Sequence, residues 1–169
     1  MYFGQPLQRR EDVRFLKGKG RFSDDISLPG MAHAVFVRSP HAHAQINSIK
    51  TDGAARMSGV LRILTAEDWE RAGNGELVCV HPMPFSDGRP MNEKLKPVLA
   101  TDKVCHVGDA VACVIAETRS QALDAAEAVE IDYTPLPSVT RIGRSLDDEA
   151  PVLHEEIGSN LVFEIEKGD

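Results

Sequence analysis

The run AVACVIAETRSQALDAAEAVEIDY, residues 110–133, constrains the fold more than any other stretch of the chain. AVACVIA is apolar without a break and reads as a buried strand. Thr118 then stands as an N-cap with Gln121 three residues on, the spacing of a capping box. The helix it opens is rich in alanine, and Ala122, Ala125, Ala126 and Val129 share one face at helical spacing. VEIDY follows as a strand, ended by Pro135 and Pro137. Strand, helix, strand in this order describes a unit whose helix lies on a sheet.

The residues before it supply the other strands. MAHAVFVRS and HAHAQINSI are strand-like runs separated by Ser39-Pro40, which predicts a β-hairpin. TDGAARMSG reads as a short helix or turn stopped by Gly59, and VLRILT as an apolar strand. Thr65 and Asp68 have the spacing of a second capping box, opening the helix AEDWERAG. PVLATDKVCHV predicts a strand running into a turn at Gly108-Asp109. Residues 138–169 read as a return path with a short strand at LVFEIE. The fold class expected is α+β: a mixed β-sheet with a β-hairpin and two or three helices packed on it.

Two stretches resist such assignment. The first thirty residues are crowded with charge and glycine and read as an arm. Gly18 and Gly20 in KGKGRF suggest a phosphate cradle, but no strand precedes them and no apolar helix follows. Residues 73–95 form the longest irregular segment, in which only ELVCV has strand character. Its Pro82, Met83, Pro84, Phe85, Pro90 and Met91 are poor choices for a solvated loop, so it is expected to pack against another polypeptide or domain. The organisation expected is an arm over 1–30, a domain over 31–145 and an extension over 146–169.

At 169 residues with 42% apolar content, the chain can bury a core without disulfides or metals. Its net charge of −7 argues against a nucleic-acid partner. The three cysteines, Cys79, Cys105 and Cys113, contain no C-x-x-C pair, which argues against a zinc or dithiol site and for a reducing compartment. No secretory signal and no apolar run of membrane-spanning length is present, so a soluble, cytoplasmic protein is expected.

The residues with candidate chemistry are the histidines and the acidic pairs. His33, His41 and His43 fall within fourteen residues of one another, and histidine is the commonest metal ligand. A two-residue Ser39-Pro40 loop would set Arg38 against His41 and Phe36 against His43, leaving His33 on the opposite face. An odd-length loop would bring His33 to their face, opposite Gln45. Neither register gathers three imidazoles, so packing and interface roles are expected. No glycine elbow surrounds Ser39 or the cysteines. Asp24-Asp25, Asp147-Asp148 and Glu155-Glu156 read as solvated clusters, and His154 beside Glu155 as an ordinary neighbour. A hydrolase built on His154 or Cys105 is the remotest reading.

Taken in order, RREDVRFLKGKGRFSDDISLPGMAHAVFVRSPHAHAQI, GVLRILTAED, VLATDKVCHVGDAVACVIAETRSQALDAAEAVEIDYTPLPSV and LHEEIGSNLVFE resemble a known family. They are similar to the N-terminal α/β hammerhead domain of the molybdenum-binding large subunit of the xanthine dehydrogenase, aldehyde oxidase and carbon monoxide dehydrogenase family. The likeness runs from about Phe3 to Asp169. It implies an oxidoreductase of molybdenum hydroxylase type, with molybdopterin-bound molybdenum in the full-length enzyme. Two 2Fe–2S clusters and FAD are then expected on partner subunits. The pterin-binding segments and the catalytic glutamate of the family lie beyond this domain, so no catalytic, cofactor-binding or metal residue carries over, and the chain alone is expected to be inactive. Its role would be structural. It would contact the remaining molybdenum-binding domains, towards which residues 146–169 would lead, and the iron–sulfur and flavin subunits, with self-association also expected of its open surfaces. Met83, Phe85 and Met91 are expected to face a substrate entrance or an interface. The competing expectation is an independent small ligand- or protein-binding module of the same fold.

Overall fold

The computed structural model describes residues 3–4, 6–7 and 9–168. Its contacts divide the chain into residues 1–31 and residues 32–169. In the first unit a short helix, α1 (Asp12–Leu16), is followed by a 3-10 turn over Ser23–Asp25. Gly18, at φ +64°, turns the chain out of α1, its N–H donating to the Phe15 carbonyl at 2.9 Å. Gly20 leaves room for Phe15, whose ring meets that of Phe22 with centroids 5.4 Å apart. The KGKGRF glycines thus serve a local turn.

The second unit contains β1 (His33–Arg38), β2 (Ala44–Lys50), α2 (Asp52–Ala55), β3 (Val60–Thr65) and α3 (Ala66–Arg71), then β4 (Lys103–Val104), β5 (Ala110–Ala116), α4 (Arg119–Glu127) and β6 (Glu130–Pro135). The class is α+β, as expected. The strands form two antiparallel sheets, ordered β1-β5-β3 and β4-β2-β6, in place of one mixed sheet. AVACVIA is the centre of the first: Val111, Ala112, Val114 and Ala116 are fully buried, as an uninterrupted apolar strand requires.

The expected hairpin at Ser39-Pro40 does not form. β1 pairs with β5, and β2 with β4 and β6. Ser39 continues the β1–β5 edge, donating its N–H to the Asp109 carbonyl at 2.9 Å and accepting from the Gly108 N–H at 2.8 Å. Its hydroxyl accepts from the His41 N–H at 3.0 Å, which turns the chain away towards the second sheet. Proline after a buried serine therefore marks a crossing between sheets.

The capping box at Thr65 is formed, whereas Thr118 is an N-cap without the reciprocal bond to its backbone N–H. The Asp68 carboxylate accepts from the Thr65 N–H and hydroxyl, each at 3.0 Å, and the Thr118 hydroxyl accepts from the Gln121 N–H at 3.3 Å. Ala122 and Ala125 of α4 are fully buried against the first sheet, with Val114 and Ala54. Their small side chains let the helix approach closely. Ile49 of β2 and Ile131 of β6 pack against this cluster and also against the one formed by Ala44, Ala100, Val104 and Val111, so one core spans both sheets. No helix among the described residues is long and apolar enough to cross a membrane. LVFEIE is not a strand, and ELVCV contributes only an isolated bridge between Leu77 and Lys96.

Candidate functional site: a two-legged loop and the cleft beside it

The long irregular segment has an order that periodicity does not reveal. Leu77 exchanges backbone hydrogen bonds with Lys96, at 2.7 and 3.2 Å. Further out, the Cys79 N–H donates to Glu93 Oε1 at 2.9 Å and the Met83 N–H to Met91 Sδ at 3.4 Å. At the tip the Phe85 N–H donates to the Arg89 carbonyl at 2.8 Å, and Gly88 turns the chain at φ +85°. These ties close a two-legged excursion. Pro82, Pro84 and Pro90 remove donors from it, so side chains and single backbone bonds replace a ladder.

The structure brings Met83 and Met91 together and seals Phe85. That ring is 5% exposed, with the Arg89 guanidinium 4.7 Å from its centroid, and Arg89 is held by Asp87 at 2.7 Å. Met91 is half-buried, whereas Met83 is 40% exposed. Leu77, Val78 and Val80 on the outgoing leg are more exposed still, which makes this leg an apolar ridge.

The returning leg is anchored to the C-terminal segment. The Asn92 backbone and side-chain N–H groups donate to Val162 and Leu161 carbonyls, both at 2.8 Å, and Lys94 pairs with Glu156 at 2.5 Å. Asn160 holds that segment in shape: its amide donates to the Ser145 and Pro151 carbonyls, and its oxygen accepts from the Leu153 N–H, all at 3.0 Å. Residues 146–168 are thereby ordered without strand or helix.

Between this leg, β4 and residues 154–156 lies a cleft of about 520 Å³, within the range of small-ligand sites. Asp109 is its best-held carboxylate, accepting from the Cys105 N–H at 3.1 Å and lying 3.5 Å from His106 and 3.8 Å from Lys96. Burial pushes the Cys105 thiol up, and nearby Lys103 only partly offsets it, so the sulfur stays protonated and poorly nucleophilic. Burial likewise holds His154 down; Lys103, Lys94 and His43 add to this and Glu156 opposes it. Glu156 is brought down to about 2, chiefly by its hydrogen bond from Lys94. These are groups for holding polar partners. No activated nucleophile stands among them.

The three clustered histidines go separate ways. His33 is opposite Ala116 on β1, while His41 and His43 lie in the turn before β2. His41 meets the Tyr133 ring edge-on with centroids 5.0 Å apart. Nδ1 of the buried His43 lies 2.7 Å from the Pro137 carbonyl, which only accepts, so this nitrogen carries the proton. Among the described residues no group of three or more His, Cys, Asp or Glu is placed to hold a metal ion. Of the cleft residues, Lys94, Lys103 and His106 carry no signal in the sequence, and Asp109, His154 and Glu156 read there as part of a turn, an ordinary neighbour and part of a solvated pair, because their spacing along the chain forms no motif.

Residues 17–137 match the family model described as aldehyde oxidase and xanthine dehydrogenase, a/b hammerhead domain. The chain belongs to this family. The large chain of carbon monoxide dehydrogenase from Afipia carboxidovorans is 42% identical to this hammerhead domain over 158 residues, 94% of this chain and 18% of that one. The nicotine 6-hydroxylase large subunit of Paenarthrobacter nicotinovorans is 36% identical over the same shares. Among solved structures, quinoline 2-oxidoreductase from Pseudomonas putida 86 superposes with a TM-score of 0.79 at 34% identity, over 92% of this chain and 19% of that one. The Cu,Mo-CO dehydrogenase superposes with a TM-score of 0.71 at 40% identity, over 93% and 18%. The chain therefore spans about a fifth of the length of these relatives.

Proposed function

We propose that this hammerhead domain is a structural module of a molybdenum hydroxylase-type oxidoreductase. It packs against the molybdenum-binding domains of the large subunit and meets iron–sulfur and flavin subunits that carry 2Fe–2S clusters and FAD. Its own residues do not fit those groups. An iron–sulfur cluster wants four thiolates, whereas Cys79 is exposed, Cys105 lines the cleft and Cys113 is buried in β5. A pterin pyrophosphate wants a cradle of free backbone N–H groups, but the glycines of KGKGRF are taken up by the turn after α1. No chemical step is assigned to this chain.

The observation that carries the reading is the loop. Its tip is tied at both legs, yet Leu77, Val78, Val80 and Met83 stand exposed beside it. A rigid apolar ridge fits a permanent partner better than solvent. In this reading Met83, Phe85 and Met91 border the substrate entrance, with Phe85 as the buried anchor and Met83 as the outward contact. A photo-crosslinking residue at position 83, in the assembled enzyme, is expected to join this loop to the molybdenum-binding part of the large subunit. Absence of that crosslink in an assembled, molybdenum-loaded complex would remove the loop from the interface.

A further inference from the structure

LVFEIE, residues 161–166, has the pattern of a strand without a strand's pairing. Val162, Phe163 and Ile165 are good strand formers, and residues 161–168 run without turn or bend. At a period of two, Leu161, Phe163 and Ile165 share one face, and Val162, Glu164 and Glu166 the other. That alternation suits a strand with an apolar layer on one side and solvent on the other. Here Phe163 is 40% and Ile165 52% exposed. Among the described residues no N–H from Val162 to Glu166 meets an acceptor.

The start of the segment is nevertheless fixed. Asn160 secures the chain before it, and the Val162 carbonyl accepts from the Asn92 N–H at 2.8 Å. In an extended chain the N–H and C=O of one residue point to one edge, and those of the next to the other. Val162 faces Asn92, so Phe163 and Ile165 turn their backbone groups to the open edge. The protein thus presents a short, held strand edge with an uncovered apolar face.

We propose that this edge takes up a β-strand of the molybdenum-binding remainder of the large subunit. This contact rests on the role proposed above, as its point of attachment. Strand addition satisfies the backbone of Phe163 and Ile165 and covers their side chains in one step. Asn92 joins the segment to the loop assigned to that same polypeptide. A second copy is a poor occupant: across a self-paired antiparallel edge Glu164 and Glu166 would meet like charges, which destabilises the pair. The strand accepted here carries apolar side chains on one face and basic ones opposite Glu164 and Glu166.

Hydrogen exchange resolved to single amides tests this on the isolated chain and on the complex co-expressed with the rest of the large subunit and the iron–sulfur and flavin subunits. The Phe163 and Ile165 amides are expected to exchange freely in the isolated chain and about a hundredfold more slowly in the complex. Ile165→Pro removes an edge donor and should cut the molybdenum recovered with a tagged chain about tenfold. Glu164→Pro, whose N–H points away from that edge, should cut it far less. Neither variant should shift the unfolding midpoint of the isolated chain; a shift would tie those N–H groups into the chain's own structure and overturn the free edge. A molybdenum-loaded complex with freely exchanging amides, or equal losses from the two prolines, would overturn the strand pairing and leave the proposed function standing. Protection that grows with concentration in the isolated chain would overturn it in favour of a second copy. Failure of any complex to form would overturn both.

Discussion

At Gly59 the backbone sits at φ +79°, and a Cβ added there would fall on the Gln121 carboxamide. Two costs are therefore joined at one position. The left-handed conformation disfavours any L side chain by about 1–2 kcal/mol. The steric overlap forces Gln121 to rotate, which breaks its 2.8 Å hydrogen bond from the Thr118 hydroxyl. Gly59→Ala is expected to destabilise the chain by about 2 kcal/mol in urea unfolding. Gly59→Ala in a Gln121→Ala background should cost less, about 1 kcal/mol, because only the backbone strain remains. Equal costs in both backgrounds would show that the two residues are not coupled. The glycine was legible as a helix stop; its second duty was not, since nothing in the sequence joins position 59 to position 121.

Local rules worked where an element is set by its neighbours. Thr65 with Asp68 and Thr118 with Gln121 close their helices because a cap needs only residues three apart. Strand pairing is different in kind. MAHAVFVRS and HAHAQINSI were legible as strands, but which strands they pair with depends on residues about 60 to 90 positions away. The two-legged loop and the segment held by Asn160 were illegible for the same reason, being tied by single side chains without periodicity.

That C-terminal segment carries a prediction about pH. Burial holds His154 below 6.5, so between 6.5 and its lowered value the folded chain binds fewer protons than the unfolded one. Stability therefore falls as pH drops through that window. Glu156 acts lower down: its pairing with Lys94 contributes fully above 4.5 and is lost as pH falls towards about 2. The thermal unfolding midpoint is expected to fall in two separate stages on acidification. His154→Gln should abolish the first stage and leave the second; Lys94→Ala should leave the first and diminish the second, which Asp68 and Asp87, also held low by hydrogen bonds, sustain in part. An unfolding midpoint that is flat down to pH 4.5 in the unaltered chain would show that His154 is not buried as described.

For the whole molecule, the hammerhead family was legible because its blocks recur in order along nearly the full chain, and the match over residues 17–137 agrees with that reading. The candidate site was only partly legible. Met83, Phe85 and Met91 stood out by composition, whereas the cleft between Lys94, Asp109 and His154 is assembled by the fold alone. The proposed role sets this domain inside a molybdenum enzyme, with no chemistry of its own. The most direct test is to express it with a separate polypeptide carrying the rest of the large subunit, together with the iron–sulfur and flavin subunits. The complex is then recovered through a tag on this chain and its molybdenum measured by mass spectrometry. The account predicts about one molybdenum atom per tagged chain, with all partners present. Recovery of the folded chain alone, free of partners and of molybdenum, while the other subunits assemble without it, would contradict the account.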